Sequence, residues 1–354
     1  MFKLPIKLKI NDSTNKLLLE TSANVSELNG LSLLIPNNTI ILNALTLTEA
    51  KESSAIENIF TTYDELYKKI INVGDVSPST KEVLAYRSSL LYGIDMINDK
   101  KQINLTMINN IHDLIESTRK GIRRYDGINK VVIKNTQTNE IIYTPPQEFK
   151  EIMEYLDNLF HYIWKRDDLH PLIKVAIIHL QFERIHPYRD GNGRTGRILN
   201  ILYLLQTKTI TTPALYISKY IIENKKEYYE LLNKAGNEQE YILKFVNFML
   251  RSINITAKRT KTYILTINKI IDETKREINT LLPKIYSHEL VELLFYDMYT
   301  RPKFLVEKLH ITRKTADKYL TLLETNGFLK SKKIGKEIIF INKRLDVLID
   351  LVDN

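Results

Sequence analysis

The chain contains no cysteine. A disulfide framework, a thiolate metal site and a thiol nucleophile are therefore excluded, and any chemistry falls to histidine, carboxylates, hydroxyls and cations. Glycine and proline are scarce as well, 11 and 10 among 354 residues. Apolar residues recur three and four apart in stretches such as Phe149 to Trp164, Leu172 to Glu183 and Glu240 to Ile253, so the expected fold class is mainly α. No apolar run is long enough to span a bilayer, and Lys and Pro interrupt the first ten residues, which leaves no apolar leader segment. A cytoplasmic protein without a membrane partner is expected. Acidic residues fall short of basic ones, 42 against 51, for a net charge of +9. The length allows two or three domains with a substantial core.

The most informative stretch runs from Ile185 to Arg197, Ile-His-Pro-Tyr-Arg-Asp-Gly-Asn-Gly-Arg-Thr-Gly-Arg. A Gly191-Asn192-Gly193 turn lets backbone N–H groups converge ahead of an apolar helix, and a helix N-terminus favours anions. Arg194 and Arg197 lie three apart, on one helix face, where two guanidinium forks can grip successive phosphates. Asp190 offers a hard oxygen suited to a Mg²⁺ that keeps most of its waters and bridges phosphates. His186 is the one group in the loop that titrates near neutral pH, which makes it the candidate general base. The loop is neither a P-loop nor a dinucleotide fingerprint, because it lacks their Lys-Ser/Thr ending and preceding strand.

This run resembles the signature of the Fic domain family, His-Pro-Phe-x-Asp/Glu-Gly-Asn-Gly-Arg-x-x-Arg, with Tyr188 in place of Phe. Tyr188 is expected to fill the same core slot, its hydroxyl needing a partner. The resemblance implies a Mg-ATP-dependent transfer of AMP to a protein hydroxyl. His186 would be the base and Asp190 the metal ligand. Gly191, Asn192 and Gly193 would form the phosphate turn, Arg194 and Arg197 would hold the outer phosphates, and Thr195 and Gly196 would complete the phosphate-binding stretch. Relatives that use nucleotides in reverse orientation as kinases carry Lys at the second Gly of the turn, where this chain has Gly193.

Two further stretches share the resemblance. Ser53-x-x-x-Glu57-Asn58 is similar to the family's inhibitory motif, Ser/Thr-x-x-x-Glu-Gly/Asn, which implies that Glu57 pairs with Arg197 and keeps the γ-phosphate out. The stretch from Leu215 to Leu232 resembles the family's Asn-Arg-x-x-Tyr-Tyr segment, with Lys225 in place of Arg. There Asn224 and Tyr228, four apart, would meet the nucleoside. Two β-branched runs between Val131 and Pro146 predict a hairpin similar to the family's flap, which lays a target backbone along a strand edge. Phe182-Glu183 is also family-like, but Glu183 reads as structural. Members that remove AMP, with the inhibitory-type Glu positioning a water, remain an alternative.

Beyond Asn254 the texture changes. Residues 254–280 read as a polar helical linker. Residues 281–354 read as helix, turn, helix and a Gly335-centred wing, a winged helix-turn-helix. Between Arg301 and Arg344 twelve Lys and Arg stand against four acids, so nearly the whole net charge sits there. Such a face suits DNA, with Arg313, Lys314 and Lys318 toward the groove and Lys332, Lys333 and Lys336 on the wing. The expected organisation is an N-terminal region over 1–95 with the inhibitory helix, a catalytic core over 96–253, the linker, and the C-terminal domain. ATP, a hydroxyl-bearing target or the chain itself, and a second copy in a homodimer are the expected partners. A DNA-binding regulator whose core senses nucleotide is the alternative from another class.

Overall fold

A computed structural model of the chain describes residues 2–33, 38–72, 74–124, 130–134, 141–165, 168–236, 238–297, 299–334 and 337–345. In chain order the first elements are α1 (Asp12–Ser32), α2 (Asn38–Ile56), α3 (Tyr63–Ile70), α4 (Pro78–Asn98) and α5 (Leu105–Ile115). A short hairpin follows, β1 (Ile133–Lys134) and β2 (Ile141–Tyr143), then α6 (Phe149–Trp164), α7 (Pro171–Ile185), α8 (Asn192–Gln206), α9 (Ser218–Glu223) and α10 (Lys225–Lys234). The long α11 (Gln239–Leu281) leads to α12 (His288–Tyr296), β3 (Tyr299–Thr300), α13 (Pro302–Leu309), α14 (Arg313–Thr325), β4 (Leu329–Ile334) and β5 (Glu337–Asn342).

The chain divides into two compact units. One gathers residues 1–29, 49–59 and 82–258; the other gathers 30–48, 60–81 and 259–354. The expected N-terminal region is therefore shared between the units instead of standing alone. The expected linker is also different in kind, because 254–280 continues α11 without a break. The reason is a stripe of buried residues at alternating four- and three-residue steps, Ile253, Ala257, Thr260, Ile264, Ile267, Ile271, Thr274 and Ile278. Polar composition masks this stripe, which gives the segment a core-facing side along its length.

In the first unit α7 and α8 pack against each other at the centre. Every residue of α7 from Leu172 to Ile185 is buried, as is α8 from Arg194 to Leu204, so both helices are enclosed on all sides. Pro171 opens α7 at a position where the missing N–H costs nothing, and the His170 ring accepts the Leu172 N–H. Asn104 caps α5 by accepting the Met107 N–H. The β1–β2 hairpin pairs Ile133 with Tyr143 and Lys134 with Ile141. Its expected turn at 135–140 lies outside the described residues.

In the second unit three antiparallel strands run in the order β3-β5-β4, with Ser331 opposite Phe340 and Thr300 beside Phe340 on the other edge. Thr312 caps α14, which turns Ala316, Leu320 and Leu323 inward and leaves Arg313, Lys314 and Lys318 exposed. Asp64 of α3 accepts hydrogen bonds from Tyr299 at 2.7 Å and Lys332 at 3.1 Å. Partial burial works against its ionisation, but hydrogen bonds from Lys68, Tyr299 and Lys332 hold it down at about 2. The expected wing tip, Gly335 with Lys336, and residues 346–354 lie outside the described residues.

Candidate active site

The site is assembled where α7 ends and α8 begins. His186 terminates α7 in the left-handed region, φ 48° and ψ 59°, and its N–H closes the helix on the Phe182 carbonyl. Gly191, also left-handed at φ 71°, precedes α8, which starts at Asn192. Asn192 and Gly193 therefore belong to the first helical turn, not to a loop before it. The loop between is held from within. The Asn192 amide accepts the Tyr188 N–H at 2.9 Å and donates to the Tyr188 carbonyl at 3.0 Å. The Tyr188 ring is fully buried, stacks on His112 with centroids 3.7 Å apart, and donates its hydroxyl to Asn109 at 2.7 Å. The polar atom that distinguishes Tyr188 from Phe is thus paired.

Asp190 accepts the Gly191 N–H at 2.7 Å, and its side chain is more than half exposed. Thr195 is turned elsewhere: buried, it donates its hydroxyl to the Gly191 carbonyl at 2.8 Å. Gly196 faces α7, where a Cβ would come within 2.5 Å of Glu183 Oε1. Both residues therefore build the α7–α8 contact, and the expectation that they bind phosphate is corrected. Asn192 likewise spends its side chain on the loop and can offer an anion only its backbone N–H.

Arg194 and Arg197 are 2% exposed, and one carboxylate serves both. Glu57 accepts from Arg194 Nε at 2.8 Å and from Arg197 at 2.9 Å through its two oxygens. The Ser53 hydroxyl and carbonyl accept from Arg197 at 2.7 and 2.9 Å. The sequence suggested the Glu57–Arg197 pair but not the bridge to Arg194. The approach is close enough that a Cβ on Gly193 would meet Glu57 Oε1 at 2.7 Å and an Arg197 terminal nitrogen at 2.8 Å. Asn58 follows at φ 63°, and its N–H and that of Ile59 return to the Ala55 and Ser54 carbonyls. This left-handed helix end explains Gly or Asn at that place in the motif. Lys225 reaches the Asn58 side chain at 3.3 Å.

The electrostatics keep His186 neutral. His186 is partly exposed, yet the enclosure of its ring and the Arg123 cation hold its pKa down at about 4, against the milder pull of the Glu183 carbonyl and Glu57. Burial raises Glu183 to about 7, with Arg197 pulling it down and Glu57 pushing it up. Burial likewise raises Glu49 to about 7, although Ser218 and Tyr86 donate to its Oε1 at 2.6 and 2.8 Å. Among the described residues no group of three or more His, Asp or Glu is arranged as a metal cage. A nucleotide-borne Mg²⁺ asks less, and the exposed carboxylate of Asp190 at the α8 N-terminus fits that demand.

Tyr228 does not face this site. It is 1% exposed and hydrogen-bonds His179 at 2.8 Å within the core, so the expectation that it stacks on a nucleoside is corrected. Tyr229, one position on, is half-buried; burial raises it to about 12, and it feels the charges of Arg197, Glu57 and Glu183. Asn224 sits at the junction of α9 and α10 and donates to the Tyr220 carbonyl at 2.9 Å. Sequence reasoning missed Arg123, which is buried and donates from Nε to the His186 carbonyl at 2.7 Å.

An imidazole at the end of one buried helix and two forked cations in the first turns of the next make up the candidate site of this helical fold. The chain belongs to the Fic/DOC family. The family's N-terminal model matches residues 15–95 and its Fic model residues 102–204, together more than half of the chain. Residues 270–345 match the model described as "Protein adenylyltransferase SoFic-like, C-terminal domain". The chain is similar to "Protein adenylyltransferase Fic" of Nematostella vectensis, 29% identical over 188 residues that make up 50% of this chain and 41% of that protein. It is also similar to "Protein adenylyltransferase fic-1" of Caenorhabditis elegans, 29% identical over 130 residues, 36% of this chain and 24% of that one. The chain thus spans less than half the length of these curated relatives. The fold is that of a Fic family protein from Desulfovibrio desulfuricans, with a TM-score of 0.59 at 17% identity over 95% of this chain and 97% of that one. C. elegans Fic-1 gives a TM-score of 0.52 at 19% identity, over 71% and 73%.

Glu49 supplies a pH test of this electrostatic picture. With its folded pKa raised, its contribution to stability is full below the ordinary carboxyl value of 4.5 and is lost as pH rises through about 7. Glu49→Gln keeps an oxygen for Tyr86 and Ser218 and removes the titration. The variant is expected to gain stability over the parent across that window, by on the order of 3 kcal/mol above it. Denaturant melts at a series of pH values measure the difference, and parallel curves would contradict the assignment.

Proposed function

We propose that the chain is a protein adenylyltransferase that transfers AMP from ATP to a Ser, Thr or Tyr hydroxyl of a protein, itself included, and that Glu57 restrains it. The observation that carries this reading is the single carboxylate shared by Arg194 and Arg197 beside a neutral His186. The names of the curated relatives support the same chemistry.

In this reading His186 accepts the proton of the target hydroxyl while that oxygen forms a bond to the α-phosphorus. The bond from the α-phosphorus to the bridging oxygen breaks, and pyrophosphate leaves with the electron pair. Neutral imidazole can take a proton at pH 7; imidazolium could not. Arg194 and Arg197, already desolvated, stabilise the charge that builds on the leaving phosphates. Asp190 would hold Mg²⁺, which when bound neutralises phosphate charge. Backbone N–H groups at the start of α8 cradle the anion. Tyr229, half-buried next to the charged groups, takes the nucleoside role first assigned to Tyr228. With Glu57 on both arginines, the γ-phosphate loses its partners and the α-phosphate is misaligned for attack.

Glu57→Gly is expected to raise AMP incorporation from Mg-ATP by roughly 10- to 100-fold, the worth of a charge-assisted bidentate contact. Adding His186→Ala to that variant should lower it again by roughly 10²- to 10⁴-fold. Mass spectrometry of the protein and of added targets reads both. An unchanged or lower signal in Glu57→Gly removes the restraint. If the activated variant shows no AMP increment but strips AMP from a modified protein, the reaction runs toward removal, with Glu57 orienting water.

The second unit carries its own reading, a winged helix-turn-helix that binds duplex DNA. The supporting observation is the exposed face of α14 with Arg313, Lys314 and Lys318, alongside the Lys330 and Lys333 positions of β4. The pairs Arg313–Asp317 and Lys332–Asp64 temper that charge. Binding of the full chain to duplex DNA should weaken steeply with salt, and Arg313→Ala with Lys314→Ala should flatten the slope by about 2. No binding at low salt would refute this reading.

A further inference from the structure

Arg123 is 3% exposed, and nothing in the phosphate chemistry uses it. Its backbone N–H donates to the Pro187 carbonyl at 2.9 Å. Its Nε donates to the His186 carbonyl at 2.7 Å, and one terminal nitrogen serves both the Ile185 carbonyl, at 3.4 Å, and the Pro146 carbonyl. The first three acceptors are consecutive residues at the end of α7, where helix carbonyls lack partners and a cation is favourable. The fourth lies just beyond β2, at the foot of the hairpin. That foot is tied a second time by Gln147, whose amide accepts the Val131 N–H at 3.0 Å and donates to the Val131 and Pro145 carbonyls at 3.0 and 2.6 Å. Arg184 of α7 lies 4.2 Å over the Tyr143 ring of β2.

We propose that Arg123 is a positioning residue: its one planar fork holds the left-handed His186 backbone and the foot of the β1–β2 hairpin in a fixed relation. This rests on His186 as base and on the hairpin as the edge that presents the target. The distance from base to hydroxyl is then a property of the Arg123 fork, since one rigid group sets both ends. A non-glycine residue in the left-handed region carries a steric cost, and bonds to the carbonyls on either side of it offset that cost. The guanidinium also adds to enclosure in keeping the imidazole neutral, opposed by Glu57 and the Glu183 carbonyl. Tyr143 and Arg189 are the charged or titratable groups that act on Arg123 itself.

Arg123→Lys and Arg123→Gln separate the fork from the charge. In the full chain, without nucleotide or metal, the His186 imidazole midpoint is read by NMR of ¹³C-histidine, and amide exchange is read across 130–134 and 141–147. Lys retains the charge but cannot serve His186 and Pro146 together, so its midpoint should stay low while exchange at the hairpin foot rises at least about tenfold. Gln should show the same loss of protection and a midpoint about half a unit or more higher. In the Glu57→Gly background both should lower kcat for a protein target by roughly 10- to 100-fold with KM for ATP unchanged, and Gln should move the acid limb of the pH profile upward. Wild-type protection in Arg123→Lys, or an unmoved midpoint in a folded Arg123→Gln, overturns the proposal. Should the Glu57→Gly parent transfer no AMP, the adenylyltransfer reading fails, while exchange and the imidazole midpoint still judge Arg123.

Discussion

Two guanidinium groups lie side by side, each 2% exposed, and the rest of the site follows from the need to neutralise them. Taking such ions out of water costs several kcal/mol apiece unless an anion and hydrogen bonds compensate. Glu57 gives one oxygen to each, and Ser53 completes Arg197. The two other carboxyls deep in this region, Glu49 and Glu183, are raised toward neutrality by burial and so do not compete at full charge. A phosphate group meets the same demand as Glu57, with more acceptor oxygens. Burial of the two cations and the carboxylate that occupies them go together, and Gly193 makes the arrangement geometrically feasible by leaving room for that carboxylate.

His186 is placed by helix termination. α7 is buried along its length, so its candidate side chain comes at its end, where the backbone turns left-handed and His186 is left partly exposed. The link to α8 holds its shape because its polar groups are spent inward: Asn192 on the Tyr188 backbone, Thr195 on Gly191, the Tyr188 hydroxyl on Asn109. What the loop still offers a ligand is the N–H groups at the start of α8, the imidazole, and the Asp190 carboxylate, which accepts the Gly191 N–H yet stays more than half exposed.

Much of this was legible in the residues. The loop from His186 to Arg197 carries its chemistry in side chains whose types and spacing are distinctive, and the mainly helical fold follows from periodicity and from scarce Gly and Pro. Four things were not legible, each for a physical reason. Tyr228 and Tyr229 are adjacent, so spacing alone could not say which one faced the core; the His179 hydrogen bond decides it. Thr195 and Gly196 share the signature's register, but a helix rotates 100° per residue, which turns them onto α7. Arg123 bonds only backbone carbonyls, and carbonyls leave no mark in a sequence. The polar texture of 254–280 also hid a buried stripe, because every third or fourth residue suffices to make one.

The Asn58 N–H returns to Ala55 and the Ile59 N–H to Ser54, closing α2 right at Glu57, so the carboxylate that occupies the arginines is carried by the end of a helix and not by its body. Helix ends open at far less cost than whole helices, because fraying breaks a few bonds and exposes little core. In the reading proposed above, freeing the arginines then asks for the opening of that last turn alone, which Lys225 braces through Asn58. A restraint of that kind behaves like a rheostat: each added contact at the turn changes the unrestrained fraction by a graded factor, and the fold itself is never asked to rearrange.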